Sequence, residues 1–346
     1  MRRSTVTTAL VSAAALLMAV SLASSSLAAP AVPTRNLEMT TVTHVPAMPA
    51  GSHELRIWIP LPYSGTDAYQ KVSQLKVASP VPYHIDREPV FGDRYAYVVV
   101  KPSQAEKPFD IRISFHVERF EHRVLLTPST SARSVPHMEL ARYLRPDKMI
   151  PLDGEIGQLS AEQTKGAHGS IEKAHKIYEY ILATMHYDHA GTGWGHGDAI
   201  WACNSKHGNC TDFHSLFIGM ARAAGVPARF QIGFALPANA HSGAFASYHC
   251  WAEFYAKGIG WVPIDAALAS QHPSKAKYYF GAIDASRVMF SMGRDIRLVP
   301  PQKGEPLNYF VYPYAELDGK PYDAISHDAS FRDDSVAAQP AVSTGN

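Results

Sequence analysis

The 346-residue chain is 46% hydrophobic and 18% charged, with 32 basic against 31 acidic residues and a formal net charge of +1. That length can bury one large core or two moderate ones. The balanced charge, with no basic stripe interleaved with aromatics and no extended basic amphipathic helix, argues against a nucleic acid or a membrane surface as partner.

The chain opens like an export signal. Arg2-Arg3 supplies a basic start, Ala9 to Leu22 an apolar run, and Ser26-Leu27-Ala28 a small-x-small cleavage site, so residues 1–29 are expected to be removed. The apolar run is shorter than the roughly 18 residues that span a bilayer, so no integral membrane span is expected in the mature chain. A bacterial periplasm or the cell exterior is the expected location.

Residues 35–130 read as a β domain. Leu55-Arg56-Ile57-Trp58-Ile59 alternates, Tyr95 to Val100 is short and β-branched, and Phe109 to Val117 alternates strictly, with Pro-rich turns between them. This pattern predicts a sandwich-like unit. Residues 127–170 read as a connection rich in Ser, Pro and charge, and Ser170 to Leu182 as a helix with Ile177, Tyr178, Ile181 and Leu182 on one face. The segment from His186 to Asp198 is too glycine-rich to be regular, and long loops of this kind are often functional. Its Trp194, or Trp201 beyond it, is a candidate to cover a cleft or donate an indole N–H to an oxyanion, although each also suits plain loop packing.

The stretch Lys206-His207-Gly208-Asn209-Cys210 then places a cysteine at the start of a helix. Gly208-Asn209 suits a turn and an N-cap, Phe213, Leu216, Phe217 and Met220 share one helical face, and Gly225 with Pro227 ends the run. A thiol in a first helical turn feels the unpaired N–H groups and the positive end of the helix, which favour the thiolate. The Cys210 backbone N–H is a further candidate oxyanion donor. Asp212 would oppose the thiolate if it pointed at the sulfur.

Ala228 to Leu236 alternates like a strand, Tyr248 to Tyr255 reads as the next, and Gly260 to Asp265 as its hairpin partner. A three-residue loop centred on Lys257 would set His249 directly opposite Asp265, with Cβ atoms about 5 Å apart. Farther on, Leu307 to Pro313 reads as a last strand within a C-terminal extension over 301–325, and 326–346 as a disordered polar tail.

Four ordered blocks now stand within about sixty residues: Lys206-x-Gly208-x-Cys210, Ala221-Arg222-Ala223-Ala224-Gly225-Val226-Pro227-Ala228-Arg229, His249-x-Trp251-x-Glu253 and Gly260-Trp261-Val262-x-Ile264-Asp265. In this order and spacing they resemble the transglutaminase-like superfamily of papain-type thiol enzymes, most strongly from about Tyr187 to Asp265. Cys250 departs from the pattern, since a small residue is expected there. The resemblance implies an α+β fold: a papain-like core over 140–300, with the cysteine helix packed on an antiparallel sheet bearing His and Asp, preceded by the β domain.

It also implies a catalytic triad in which Cys210 attacks an amide or peptide carbonyl, His249 moves the proton and Asp265 orients the imidazole, with no metal or organic cofactor. The expected activity is that of a cysteine peptidase or amidase on a protein or peptide substrate, cell-wall peptides included. A protein-glutamine transglutaminase would use the same triad with an amine as acceptor.

Two rival readings remain. The fold could be retained as a non-catalytic binding module, or Cys203, His207, Cys210 and His214 could form a zinc site, which seventeen histidines keep open. Three cysteines in an oxidising compartment also allow a Cys203–Cys250 disulfide that leaves Cys210 free, or three free thiols.

Overall fold

The computed structural model describes residues 32–65, 68–127, 135–245 and 247–334. The expected signal over 1–29 and the end of the expected tail, 335–346, lie outside these residues. No helix among them is long and apolar enough to cross a membrane.

Alternating sequence becomes strand wherever one face can be buried. The strands are β1 (Thr34–Val45), β2 (Leu55–Pro60), β3 (Gln70–Ala78), β4 (Tyr83–Arg87), β5 (Arg94–Val100) and β6 (Phe109–Phe120), then β7 (Ala228–Ala235), β8 (Ser242–Phe245), β9 (His249–Ala256), β10 (Gly260–Ile264), β11 (Arg287–Met292), β12 (Tyr314–Leu317) and β13 (Ser326–Asp333). The helices are α1 (His137–Arg142), α2 (Gly154–Gln163), α3 (Gly169–Thr184), α4 (Ala199–Ser205), α5 (Cys210–Ala223), α6 (Ala266–Gln271) and the single turn α7 (Ala276–Tyr279).

Two five-stranded antiparallel sheets form the β part. One runs in the order β8, β13, β1, β6, β3, and the other from the short strand Lys320–Pro321 through β12, β2 and β5 to β4. Their inner faces, with Leu37, Met39, Ile111 and Phe115 on one and Leu55, Ile57, Val98 and Val100 on the other, share one buried core. The β unit is therefore not confined to 35–130, because it takes in β8 and both C-terminal strands. The tail expected from residue 326 is instead strand β13, paired with β1 from His44↔Ser326 to Leu37↔Asp333. Ala329 and Phe331 point inward between polar residues, an alternation too sparse in apolar residues to stand out. The strand expected at Leu307 to Pro313 is a loop held by an isolated Ile296↔Leu307 bridge, and the strand begins at Tyr314.

The third sheet, in the order β10, β9, β7, β11, carries His249 on β9 and leads from β10 into Asp265. Helix α5 packs on β9 and β7, and α2, α3, α4 and α6 pack around it. Every residue of α5 from Cys210 to Arg222 is consequently buried, where the sequence pattern pointed to one buried face. Helix α2 falls in the stretch read as a connection, and α4 begins immediately after the loop that ends at Asp198. Two glycines and few apolar residues hide α2, yet Ile156 is fully buried and Ser160 Oγ donates to the Met220 carbonyl at 2.7 Å.

Strand β11 ties this sheet to the sandwich. Gln70 donates to the Met289 carbonyl and accepts from the Met289 N–H, at 2.9 and 2.8 Å, and Met292 N–H donates to Asp93 Oδ1 at 2.9 Å. Asp93 is fully buried, its Oδ2 has no hydrogen-bond partner, and burial, with Glu88 beside it, raises its carboxyl pKa well above the ordinary value. A raised folded-state pKa gives stability at low pH that is lost as pH rises. Asp93→Asn is expected to gain about 1 kcal/mol at pH 7 and almost nothing at pH 4, as read from urea unfolding at both values.

Candidate active site

The position of Cys210 begins with the cap of its helix. Thr211 N–H donates to Asn209 Oδ1 at 2.8 Å, and Asp212 reaches back so that Asn209 N–H donates to its Oδ2 at 2.9 Å, closing the first turn of α5 from both sides. Gly208, at φ 147, permits this, because a Cβ there would collide with the Asp212 side chain. Asp212 also accepts from Gly195 N–H at 2.7 Å and Gly197 N–H at 2.9 Å. Its carboxylate thus serves the backbone of the glycine-rich loop.

The opposite edge of that loop is held by Arg294, which is buried. It donates to Ser215 Oγ at 2.7 Å, to the Gly197 carbonyl at 3.1 Å, to the His196 carbonyl at 3.3 Å and to Asn308. The approach is close enough that a Cβ on Gly197, at φ 61, would strike Ser215, Thr211 and Arg294. Arg294→Ala is expected to release this edge and speed amide exchange at Gly195 and Gly197 by about tenfold or more, read by hydrogen exchange.

The hairpin of β9 and β10 turns about Gly258 rather than Lys257: Ala256 pairs with Gly260 and Ala252 with Ile264. Ile259 N–H closes the turn on the Ala256 carbonyl, with Gly258 at φ 78. His249 is therefore not directly opposite Asp265, and the ladder ends at Ile264. The offset is two residues, one full side-chain period, so both side chains still lie on the same face as diagonal neighbours. His249 Nε2 donates to Asp265 Oδ2 at 2.7 Å, and Asp265 caps α6 by accepting from Leu268 N–H at 2.9 Å.

With Nε2 taken by the carboxylate, Nδ1 is the ring nitrogen left for the thiol, and His249 hydrogen-bonds Cys210. The structure thus brings Cys210, His249 and Asp265 together, exposed by only 2%, 7% and 0%. Burial pushes the Cys210 thiol up, but hydrogen bonds from Cys250 and His249, with the charge on that imidazole, outweigh it and hold the thiol well below its ordinary value. Burial pulls His249 down, but the Asp265 carboxylate and Cys210 outweigh it and raise the imidazole to about 9. Burial also works against the Asp265 charge, and His249 and Arg287 overcome it, so the carboxyl lies below its ordinary range.

The other sequence candidates are placed differently. Trp194 stacks on His189 with ring centroids 4.5 Å apart, and Trp201 meets His207 edge-on at 5.1 Å and faces Gly193. The Tyr187 hydroxyl hydrogen-bonds the Cys210 backbone. All three cysteines are unpaired, so the Cys203–Cys250 bond is not made. Cys203 donates to Glu155 and accepts from Lys206, whereas Cys250 lies against Cys210 and His214.

The four side chains of the zinc reading accordingly face different neighbours. Among the described residues, no three His, Cys, Asp or Glu side chains are grouped as metal ligands.

Sequence reasoning missed several residues here. Arg287 Nη2 donates to Asp265 Oδ2 at 3.2 Å, and the Tyr248 hydroxyl lies 2.8 Å from Thr211 Oγ1 and accepts from Asn209 Nδ2 at 3.0 Å. Tyr248 was the more findable, since it precedes the histidine. Arg287 sits in a returning strand with no motif of its own.

A cysteine at the start of a buried helix, packed on an antiparallel sheet that carries a histidine paired with an acid, defines the papain-like α+β core. Residues 157–266, from within α2 to the residue after Asp265, match the transglutaminase-like superfamily core. The chain therefore carries a transglutaminase-like core over these residues. An uncharacterized protein of Haemophilus influenzae is 28% identical over 324 residues, covering 82% of this chain and 87% of that protein. A crystal structure from Cytophaga hutchinsonii, described as a presumed cysteine protease, is 14% identical, with a TM-score of 0.58 over 89% of this chain and 93% of that one. The periplasmic domain of TgpA from Pseudomonas aeruginosa is 14% identical, with a TM-score of 0.36 over 72% of this chain and 92% of that one.

Proposed function

We propose that this protein is an exported thiol hydrolase that cleaves amide or peptide bonds through an acyl-enzyme thioester. The observation that carries the reading is the relay in which a depressed thiol at a helix start bonds an imidazole, whose far nitrogen lies 2.7 Å from a buried carboxylate. The Cys210 thiolate attacks the carbonyl carbon, and the electron pair moves to the oxygen, which would take the place of the Tyr187 hydroxyl on the Cys210 backbone N–H. His249, as imidazolium, gives its proton to the leaving amine and then takes one from the attacking water. Asp265 fixes the tautomer and offsets the charge.

Trp194, in the glycine-rich loop, and Trp201, on α4, remain candidates in this scheme to cover the bound substrate. Export is supported by the basic and apolar leader with its small-x-small site. Protein or peptide substrates fit the chemistry, and an amine in place of water would make the same site a transamidase.

The test is the pH dependence of iodoacetamide labelling, with the modified residue located by mass spectrometry. Cys210 is expected to label fastest, with a midpoint well below the ordinary thiol value of about 8.5. Labelling no faster than Cys203 and Cys250 would overturn the proposal.

A further inference from the structure

His214 lies one helical turn beyond Cys210 and is completely buried. Its two ring nitrogens meet backbone groups on two different elements. Ala266 N–H donates to Nε2 at 3.1 Å, so Nε2 carries no proton. Nδ1 stands 2.7 Å from the Cys210 carbonyl oxygen, which only accepts, so Nδ1 carries one. The imidazole is therefore neutral and fixed in a single tautomer. The ionisable groups around it are Cys210 on its own helix, His249 and Cys250 on β9, and Asp265 ahead of α6, with Arg287 of β11 behind the carboxylate. Cys250 Sγ is 3.6 Å from Nδ1, and Asp265 Oδ1 is 3.7 Å from Nε2.

We propose that His214 is a positioning residue of this site, a neutral crosspiece that ties the turn bearing Cys210 to the helix start that follows Asp265. The inference rests on the reading of Cys210 as nucleophile. Cys210 and Asp265 flank His249 from separate elements, and the spacing between those elements sets whether both can reach the imidazole. His214 spans that gap through backbone atoms, which neither residue can move without moving its neighbour. Being neutral, it also leaves the Asp265 charge to His249 and Arg287. A histidine that only filled space would need its volume, and would not need both nitrogens matched to a donor on one element and an acceptor on the other.

The experiment compares iodoacetamide labelling of Cys210 against pH in the wild type, His214→Asn, His214→Gln and His249→Ala, each checked by thermal unfolding. Asparagine can keep the Cys210 contact and glutamine the Ala266 contact, but neither spans both. Both His214 variants are expected to fold and to label Cys210 about tenfold more slowly near neutral pH, with the midpoint moved up toward that of His249→Ala. Folded variants that label like the wild type would overturn the positioning role while leaving the thiol reading intact. An ordinary thiol in the wild type would overturn the thiol reading and this inference with it.

Nitrogen NMR of the wild type needs no variant to fold. A neutral His214 protonated on Nδ1 is expected at pH 7, and an imidazolium or an Nε2-protonated ring would overturn the proposal.

Discussion

Cys210→Ala is expected to remove acyl transfer almost entirely, by about a millionfold where the nucleophile acts as part of a unit, while the protein stays folded. The fold should survive because the cap of α5 comes from Asn209 and Asp212, and the helix is packed on all sides by residues that the change leaves in place. Losing one sulfur from a tight core costs about 1 kcal/mol. A further consequence separates this result from simple damage. His249 is held high by Asp265 and by Cys210, so removing the thiol takes away part of that support, and the imidazole is expected to titrate below about 9 in the variant. Assays on a peptide substrate, with histidine NMR on the same sample, check both. Retained turnover in Cys210→Ala would end the nucleophile proposal.

The second large effect is expected from Asp265→Asn, a drop in turnover of about ten-thousandfold. The asparagine keeps the cap on Leu268 but no longer supplies charge to His249 and Arg287. The alkaline limb of the wild-type rate is expected near pH 9, where His249 loses the proton it must deliver to the leaving group. Without the carboxylate, burial pulls the imidazole down, and that limb should move toward acid.

Stability should fall as well, by about 3 kcal/mol, because a buried ion pair loses one partner. The sign with pH follows from the two shifts. Asp265 lies below its ordinary value, so its contribution is present above about pH 4 and fades in acid. His249 lies above its ordinary value, so its contribution is complete below about pH 6.5 and fades as pH rises through about 9. The wild-type advantage over Asp265→Asn is therefore widest between these limits, as denaturant unfolding at several pH values would show. An unchanged alkaline limb would remove Asp265 from the relay.

Much of this site was legible because helix starts and hairpins obey short-range rules. The Gly208-Asn209-Cys210 stretch carries its own cap, and the turn near Gly258 needed only glycine's conformational freedom. The hairpin register was misplaced by two residues, yet the side-chain period of a strand is also two, so His249 and Asp265 kept a common face. The contributions of Arg287, His214 and Arg294 were not legible in the same way. Each depends on at least one partner far along the chain, Asp265 for Arg287, Ala266 for His214 and Ser215 for Arg294. Strand β13 was lost for a similar reason: its alternation rests on Ala329 and Phe331, and only pairing with β1 makes it a strand.

That pairing bears on how the chain can be made. Strand β1 lies between β6 and β13, and the Arg35 side chain bonds Asp333 across 298 positions at 2.9 Å. The sandwich cannot close until β13 has been made, because β13 is one of its inner strands and pairs with β1. Closure of so long a loop is slow, and until then β1 offers an open edge. A cut after Ile325 is therefore expected to strip β13 from the sheet and leave both β1 and β8 without their shared partner.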